Sequence, residues 1–585
     1  MKNPYIDLIK AVWQNGKPWR KWIVIYNLAY VVGMVFLSIG PYALGRAIDV
    51  LQHFTPGRLH EVIYWMLVSV AVLVLFWVFH GPARVKEREV AMKIQQTYRE
   101  HIYKKLTQLP LKWHQDHHSG NIISRLNRSS TALYRFAGDQ FIYIETVIKF
   151  LTSVGFLMWL SPPVGIFTLL SCMLSILIVL LYDRKLIPLY DQQNEIDNHV
   201  GAVLFDYISN MTTILTLRFG ELTRSNLVQR MMSIWPFYRK DIVINEVKWF
   251  CMGMVLSSLQ AIILIAYIVH TLDTNGIIMI GVVVMIFRYQ QELSDVFFTF
   301  SAHYSELVRM DTDIKGIQPI LSDIDKYAHR PQGISVAKHW HTIGIENLVF
   351  HHVGTTRDSE IFSAINIHIK RGEKVALIGE SGGGKSTLLN IIRGLYIPDQ
   401  VRLMIDNTSF DNLEPLQSIT TLIPQDPEIF ENTIEFNITM GVMTDPADVN
   451  RAIELAGFAK VLATLPSGLQ TDIREKGLNL SVGQKQRLAL ARGLFAARYS
   501  SLILMDEPTS SVDLPTEKEI LTGVLENFSE AAMIVSLHRL HLLPKFDRII
   551  MLDHGKIVTD GATSDLLNNP GPARELWVTY QDTDK

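Results

Sequence analysis

Six stretches within the first 300 residues are almost wholly apolar: 22–44, 62–80, 141–160, 163–182, 249–272 and 276–293. Each approaches the ~20 residues that an α-helix needs to cross a bilayer. Only Ser161 and Pro162 separate the third stretch from the fourth, so these two form a tight hairpin, and that hairpin sets the alternation of the others. The long polar segments after the second and fourth stretches keep a helical period, which predicts that the membrane helices run on beyond the bilayer as paired stalks. From about Ile343 short β-rich runs alternate with helical ones, the pattern of an α/β domain. The expected architecture is therefore an all-α domain of six membrane helices followed by an α/β domain. Its parts are an amphipathic N-terminal segment over 1–21, the membrane domain over 22–318, a linker over 319–342 and the α/β domain over 343–585.

Charge orients the spans. There are eleven Lys or Arg from Arg84 to Arg135 and eight from Arg184 to Lys248, whereas the turns at 161–162 and 273–275 hold none. Translocated loops are poor in Lys and Arg, so both long loops and both termini belong on the cytosolic side. The segment from Tyr5 to Trp22 interleaves apolar and basic residues, as in a short helix lying on a membrane surface, and offers no cleavable signal. The whole chain has 55 Lys plus Arg against 57 Asp plus Glu, which excludes an electrostatic nucleic-acid binder. Cys172 and Cys251 both sit in apolar runs and read as buried thiols, leaving no disulfide scaffold. Within the spans, Glu145 with Lys149 and Arg288 with Glu292 are opposite charges at i,i+4 spacing, suited to pairing on one helix face. Substrate contact is the alternative use for such groups. His114, His117 and His118, beside Trp113 in a basic loop, read as a solvated patch rather than a metal site.

The α/β part carries the chemistry. A buried strand over 375–378 runs into Gly379-Glu380-Ser381-Gly382-Gly383-Gly384-Lys385-Ser386-Thr387 and then into a helical pattern over 388–393. Strand, glycine-rich loop and helix form a phosphate cradle: backbone N–H groups close on phosphate oxygens, and the helix N-terminus adds positive potential. Lys385 reaches the terminal phosphates, and Ser386 suits a Mg2+ ligand. A second apolar run over 501–505 ends in Asp506 and Glu507, placing one carboxylate to organise Mg2+ and one to polarise the attacking water. The motifs predict a P-loop NTPase fold that takes a nucleoside triphosphate with Mg2+.

Between these motifs stands Leu480-Ser481-Val482-Gly483-Gln484, and after them come Ser510-Ser511-Val512-Asp513 and His538. With Gln425 this ordered set resembles the ATP-binding cassette (ABC) family, and the six preceding spans resemble its exporter branch with membrane and motor domains fused. The resemblance implies that two motor domains pack head to tail, so that Ser481, Gly483 and Gln484 of one cover the ATP held by the other. It makes Glu507 the general base, His538 the γ-phosphate sensor, Gln425 a ligand of Mg2+ and water, and Asp513 a link between the two sites. It also implies coupling helices at the tips of the long loops, near 127–135 and 209–216. Three positions depart from the family pattern. Val482 replaces the first glycine of the signature pair, His352 stands where an aromatic stacks on adenine, and Arg474 precedes the acidic Glu475 where glycine is common.

An intact set of motor residues in one chain points to a homodimer of half-transporters, with a heterodimer as the alternative pairing, that exports a drug, lipid or peptide by alternating access. The alternative is an ATP-gated channel or a regulatory membrane protein that transports nothing. The absence of a targeting extension favours a bacterial inner membrane over an organelle.

Overall fold

The computed structural model describes residues 4–117, 119–327, 339–352, 359–473 and 480–583. They divide into two compact units, residues 1–107 with 119–325 and residues 108–118 with 326–585.

The first unit is helical throughout. Helix α1 (Pro4–Asn15) is amphipathic, as its sequence predicts, but one face is turned into protein. Leu8 and Val12 are buried, Tyr5 meets Phe136 edge-on, and Asp7 pairs with Lys315 at 2.9 Å. Only Ile6, Ile9 and Trp13 are left open for a membrane surface. The first apolar stretch is two helices, α2 (Arg20–Leu37) and α3 (Gly40–Gln52), because Pro41 lacks the N–H that a continuous helix needs. Then follow α4 (Leu59–Leu106), α5 (Leu111–Asp116, which belongs to the second unit), α6 (Ser119–Gly138) and α7 (Gln140–Leu160). After the one-residue turn at Ser161 come α8 (Pro162–Ser209), α9 (Met211–Thr216), α10 (Gly220–Met232), α11 (Trp235–Asn275), α12 (Ile280–Lys315) and α13 (Gln318–Tyr327).

Helices α4 and α8 each have 48 residues, or ~70 Å at 1.5 Å per residue, against a hydrocarbon core of ~30 Å. The expected stalks are thus continuations of the spans themselves. Among the described residues, five helical segments are long and apolar enough to cross a membrane. The sixth, α12, carries Arg288, Glu292 and Asp295 in its N-terminal half and starts later than the apolar run does. Gly276 belongs to the preceding helix, which it ends in a left-handed cap at φ 65°.

The bundle core is built of Leu157, Met252, Met285, Ile286, Tyr289 and Leu293, with Phe156 stacked on Tyr289 at 4.8 Å. Outward-facing Leu28, Leu67, Leu151, Met173 and Ile265 are each more than half exposed in the isolated chain, as lipid-facing side chains are. Lys149 pairs with Glu145 at 2.6 Å, as their spacing predicts. Arg288 and Glu292 do not pair. Glu292 accepts a hydrogen bond from Ser153 on α7 at 2.8 Å instead, while Arg288 is exposed, because the carboxylate points across to the facing helix rather than along its own. Asp183 and Lys248, both buried, join α8 to α11 at 3.3 Å.

The second unit holds two sheets. The smaller is antiparallel, in the order β2-β1-β4-β5, from β1 (Thr342–His352), β2 (Ser359–Lys370), β4 (Gln400–Ile405) and β5 (Thr408–Phe410). The larger runs β10-β9-β3-β8-β7-β6, from β3 (Lys374–Ile378), β6 (Thr420–Ile423), β7 (Leu502–Asp506), β8 (Ala532–Ser536), β9 (Arg548–Asp553) and β10 (Lys556–Ala562). All its neighbours are parallel except β10 with β9. Strands β3, β7 and β8 are buried along their whole length, as their unbroken apolar runs require of a sheet covered on both faces. Helix α14 (Lys385–Arg393) covers one face with Leu388, Leu389, Ile391 and Ile392. Short helices α15 (Ile434–Thr439), α16 (Pro446–Leu455) and α17 (Ala459–Ala463) pack with α18 (Val482–Ala497) and α19 (Leu514–Asn527) over the other core.

Candidate functional site

In a parallel α/β sheet the carboxyl ends of the strands form the ligand crevice. Strand β3 lies centrally between β9 and β8, and its carboxyl end opens into the glycine loop. Gly379 has φ 142°, and a Cβ there would lie 2.0 Å from the carbonyl oxygen of Leu552, so no other residue fits. Glu380, Ser381 and Gly382 are at the surface, Gly383 is buried, and Gly384 leads into α14 at φ 101°. Lys385 folds back over the loop, where its Nζ donates to the carbonyl oxygens of Gly379 at 2.8 Å and Glu380 at 3.0 Å. Burial holds its pKa below the ordinary lysine value, against the opposing pull of Glu507 and Asp506. Ser386 and Thr387 occupy the first turn of the helix, with Ser386 exposed.

Strand β7 ends in the two expected acids. Asp506 lies directly across from Ser536 in the ladder. The Ser536 hydroxyl donates to Asp506 Oδ1 at 2.6 Å and accepts the backbone N–H of Glu507 at 3.0 Å. Glu507 itself adopts φ 42°, a left-handed conformation that costs a non-glycine residue about 1–3 kcal/mol and is concentrated at functional sites. Its carboxylate accepts a hydrogen bond from Gln425 Nε2 at 2.9 Å. His538 is exposed just beyond β8, on the rim of a cavity of ≈ 260 Å³ bordered by Glu507, Ser510, Glu517 and Arg539. Lys385, Gln425, Asp506, Glu507 and His538 thus lie at carboxyl ends of neighbouring strands or in the loops that follow them.

The signature segment starts α18. Ser481 is its N-cap in a full capping box with Gln484: the Ser481 hydroxyl accepts the Gln484 N–H, and Gln484 Oε1 accepts the Ser481 N–H at 2.9 Å. Val482 is 64% exposed at the tip, presenting its branched side chain outward. Asp513 caps α19, accepting from the Thr516 N–H and hydroxyl, and these bonds hold its carboxyl below the usual carboxylate range. His352 ends β1 opposite Ser359. Arg474 and Glu475 lie outside the described residues, as does His118.

Ser386, Gln425 and Asp506 offer a hydroxyl, an amide carbonyl and a carboxylate, a set of hard oxygen donors that fits Mg2+. The side-chain amide of Gln425 is oriented with its N–H toward Glu507, which leaves its oxygen as the acceptor such a cation needs.

Sequence reasoning missed the supports of this site. Ser536, Gln486, Glu517 and Arg539 hold the strand ends and the segment after Glu507, yet each is a common residue without a recognisable spacing. It also misplaced one loop tip. Residues 127–135 lie inside α6, with Ser129, Ser130, Leu133 and others buried, so they present no free tip. The tip is α5, set off by the extended Pro110, where Trp113 is buried and stacks on His117 at 4.2 Å. Within the second unit, Gln115 on α5 accepts from the Tyr396 hydroxyl at 3.3 Å. The other loop does carry a short helix where expected, α9 over Met211–Thr216.

Comparison with known proteins agrees with this arrangement. The family model of the ABC transporter transmembrane region matches residues 23–295, and the family model described as ABC transporter matches residues 362–510. An ATM1-type heavy metal exporter of Novosphingobium aromaticivorans is 26% identical over 488 residues, 82% of this chain and 78% of that protein. The mitochondrial iron-sulfur clusters transporter ATM1 of Kluyveromyces lactis is 26% identical over 607 residues, covering 99% and 81%. The multidrug resistance-like ATP-binding protein MdlB of Buchnera aphidicola is 25% identical over 576 residues, covering 96% of both chains. Among solved structures, a bacterial Atm1-family ABC exporter with ATP bound superposes with a TM-score of 0.81 at 23% identity, covering 96% of this chain and 98% of the other, a likeness of fold.

Proposed function

Because the chain belongs to the ABC transporter family, with membrane and ATPase domains in one polypeptide, we propose that two identical copies form an exporter whose motor domains close head to tail on ATP. Hydrolysis by the motor drives export. The observation that carries the assignment of the chemistry is the Gln425–Glu507 hydrogen bond at the mouth of the P-loop sheet.

In this reading the loop from Gly379 to Thr387 wraps the phosphates with backbone N–H groups, and Lys385 leaves its carbonyl partners for the terminal phosphates. Glu507 accepts a proton from the attacking water, positioned by Gln425. His538 donates to the γ-phosphate from the rim of the same crevice. Ser386, Gln425 and Asp506 would hold Mg2+, which would supply charge neutralisation to the phosphates during transfer. Ser481, Gly483 and Gln484 cover the ATP of the second copy with the N-terminal end of α18, whose positive potential suits a phosphate. Asp513, beside that surface, links the two sites, and His352 stacks on adenine. Helices α5 and α9 transmit closure to the membrane helices. The chain resides in a bacterial inner membrane with both termini cytosolic.

The cargo is an organic molecule of the drug, lipid or peptide class. A second reading, favoured by relatives named as heavy metal and iron-sulfur cluster exporters, is a metal-bearing cargo. ATPase activity of the chain in lipid nanodiscs, followed during a screen, separates them. Stimulation by drugs, lipids or peptides supports the first, and stimulation by heavy metal ions alone supports the second. ATP-dependent accumulation of the stimulating compound in inside-out vesicles then establishes transport, and nucleotide-dependent conductance without accumulation overturns it.

A further inference from the structure

The segment from Thr509 to Val512, which follows the proposed base, is strapped from two sides by Gln486, two residues past Gln484, and by Arg539, next to His538. From α18, Gln486 is 4% exposed and uses its whole amide. Its Nε2 donates to the carbonyl oxygen of Glu507 at 3.3 Å and to the Ser510 hydroxyl at 3.0 Å, and its Oε1 accepts the Ser511 N–H at 2.7 Å. A backbone N–H can only donate, so the amide orientation is fixed by that last bond. From the loop beside His538, Arg539 donates to the carbonyl oxygens of Val512 at 2.6 Å and Ser510 at 3.3 Å. It also pairs with buried Glu517 at 3.0 Å, which in turn accepts the Thr509 hydroxyl at 2.8 Å. The backbones are in contact as well: a Cβ on Gly483 would lie 2.9 Å from the carbonyl oxygen of Ser511.

We propose that Gln486 and Arg539 are positioning residues for hydrolysis, linking the signature helix and the His538 loop through one rigid segment to the backbone of Glu507. The inference rests on the reading of Glu507 as base. Glu507 stands in a left-handed conformation that its own sequence does not favour, so its carboxylate direction depends on what holds its carbonyl, and Gln486 holds it. A displacement of Ser481 and Gly483 by nucleotide on the second copy reaches Glu507 through the side chain of Gln486 three residues further along the helix. Arg539 makes the same segment report to the loop that carries His538. Neither side chain is placed on the nucleotide, so each affects turnover through geometry, and a misplacement of ~1 Å in a catalytic group costs about 100-fold in rate.

The test uses the full chain in lipid nanodiscs and measures kcat and KM for MgATP, together with thermal stability, for Gln486→Glu, Gln486→Met, Arg539→Lys and Glu507→Gln. Gln486→Glu keeps the volume and the acceptor for Ser511 N–H but removes both donors. Gln486→Met keeps only the volume. The expected result is a fall in kcat of between about 10- and 100-fold for both Gln486 variants with KM within about 2-fold of the parent. Arg539→Lys, which retains one cation but not the fork, falls less. Unchanged kcat in both Gln486 variants, with Glu507→Gln inactive, overturns the positioning role and leaves the base intact. An active Glu507→Gln overturns the base itself. Loss of kcat accompanied by a matching loss of nucleotide affinity and of thermal stability in Gln486→Met shows a purely structural residue and also overturns the proposal.

Discussion

Gln425 donates from its side-chain amide to the carboxylate of Glu507 at 2.9 Å, joining the loop after β6 to the end of β7 across the mouth of the crevice. The bond fixes both side chains and gives Glu507 a defined direction. Replacing Gln425 by Ala leaves Glu507 held only through its backbone. The expected outcome is a fall in ATPase kcat of about 10- to 100-fold, with a smaller loss of ATP affinity, since removing one positioned polar group at a site of charge development has costs of this size. Steady-state kinetics of the variant against MgATP check it.

Lys385 provides a pH prediction. Burial depresses its pKa, so its ammonium loses its proton at lower pH than an ordinary lysine, whose value is about 10.4. Binding of polyanionic ATP favours the charged form. Affinity is therefore greatest below the depressed pKa and declines as pH rises through it, with proton uptake accompanying binding in that window. Isothermal titration in buffers of unlike ionisation enthalpy measures the uptake, and Lys385→Ala abolishes it.

Val482 places a branched side chain, 64% exposed, at the first turn of α18 on the face proposed to meet the second copy's nucleotide. Val482→Gly relieves that crowding. It is expected to raise kcat by less than tenfold, equivalent to ~1.4 kcal/mol of barrier. The thermal midpoint moves little, because a glycine in an exposed helical position costs at most about 1 kcal/mol. Paired ATPase and thermal unfolding measurements decide it.

Trp113 anchors α5 in the second unit, buried and stacked on His117. Truncation to Ala removes a large aromatic worth about 3–5 kcal/mol of packing. The expected outcome is that basal ATPase survives while stimulation by cargo is lost, because α5 is the chain's connection between α4 and α6. Tyr396→Phe, which deletes only the hydroxyl that donates to Gln115, retains most of the stimulation. Comparing the stimulated and basal rates of the two variants tests the role of α5 in coupling.

The parts legible in the sequence are those whose pattern is local. Lys374–Ile378 and Leu502–Asp506 form the central strands because unbroken apolar runs fit a sheet buried on both faces, and the acids fall at a strand end because the apolar run stops there. The turn at Ser161 was likewise readable, whereas the turn expected at 273–275 falls at 276–279, because α11 runs on to Asn275 and Gly276 caps it. What the sequence hid depends on distant partners. Glu292 turns to Ser153, 139 positions away, so its i,i+4 spacing to Arg288 carried no information about its bond. Gln486 and Arg539 reach a segment whose position is set only once β7, β8 and α18 have packed. Helix α5 has six residues, too few for periodicity to reveal, and its clearest mark is the extended Pro110 before it.

The most direct test of the central claim, an ATP-hydrolysing motor with Glu507 as its base, is the ATPase rate of purified Glu507→Gln in lipid nanodiscs with ATP binding measured on the same sample. The account predicts a rate lowered by about 10²- to 10⁴-fold, the range of a lost general base, with ATP still bound. A rate equal to that of the parent chain contradicts it.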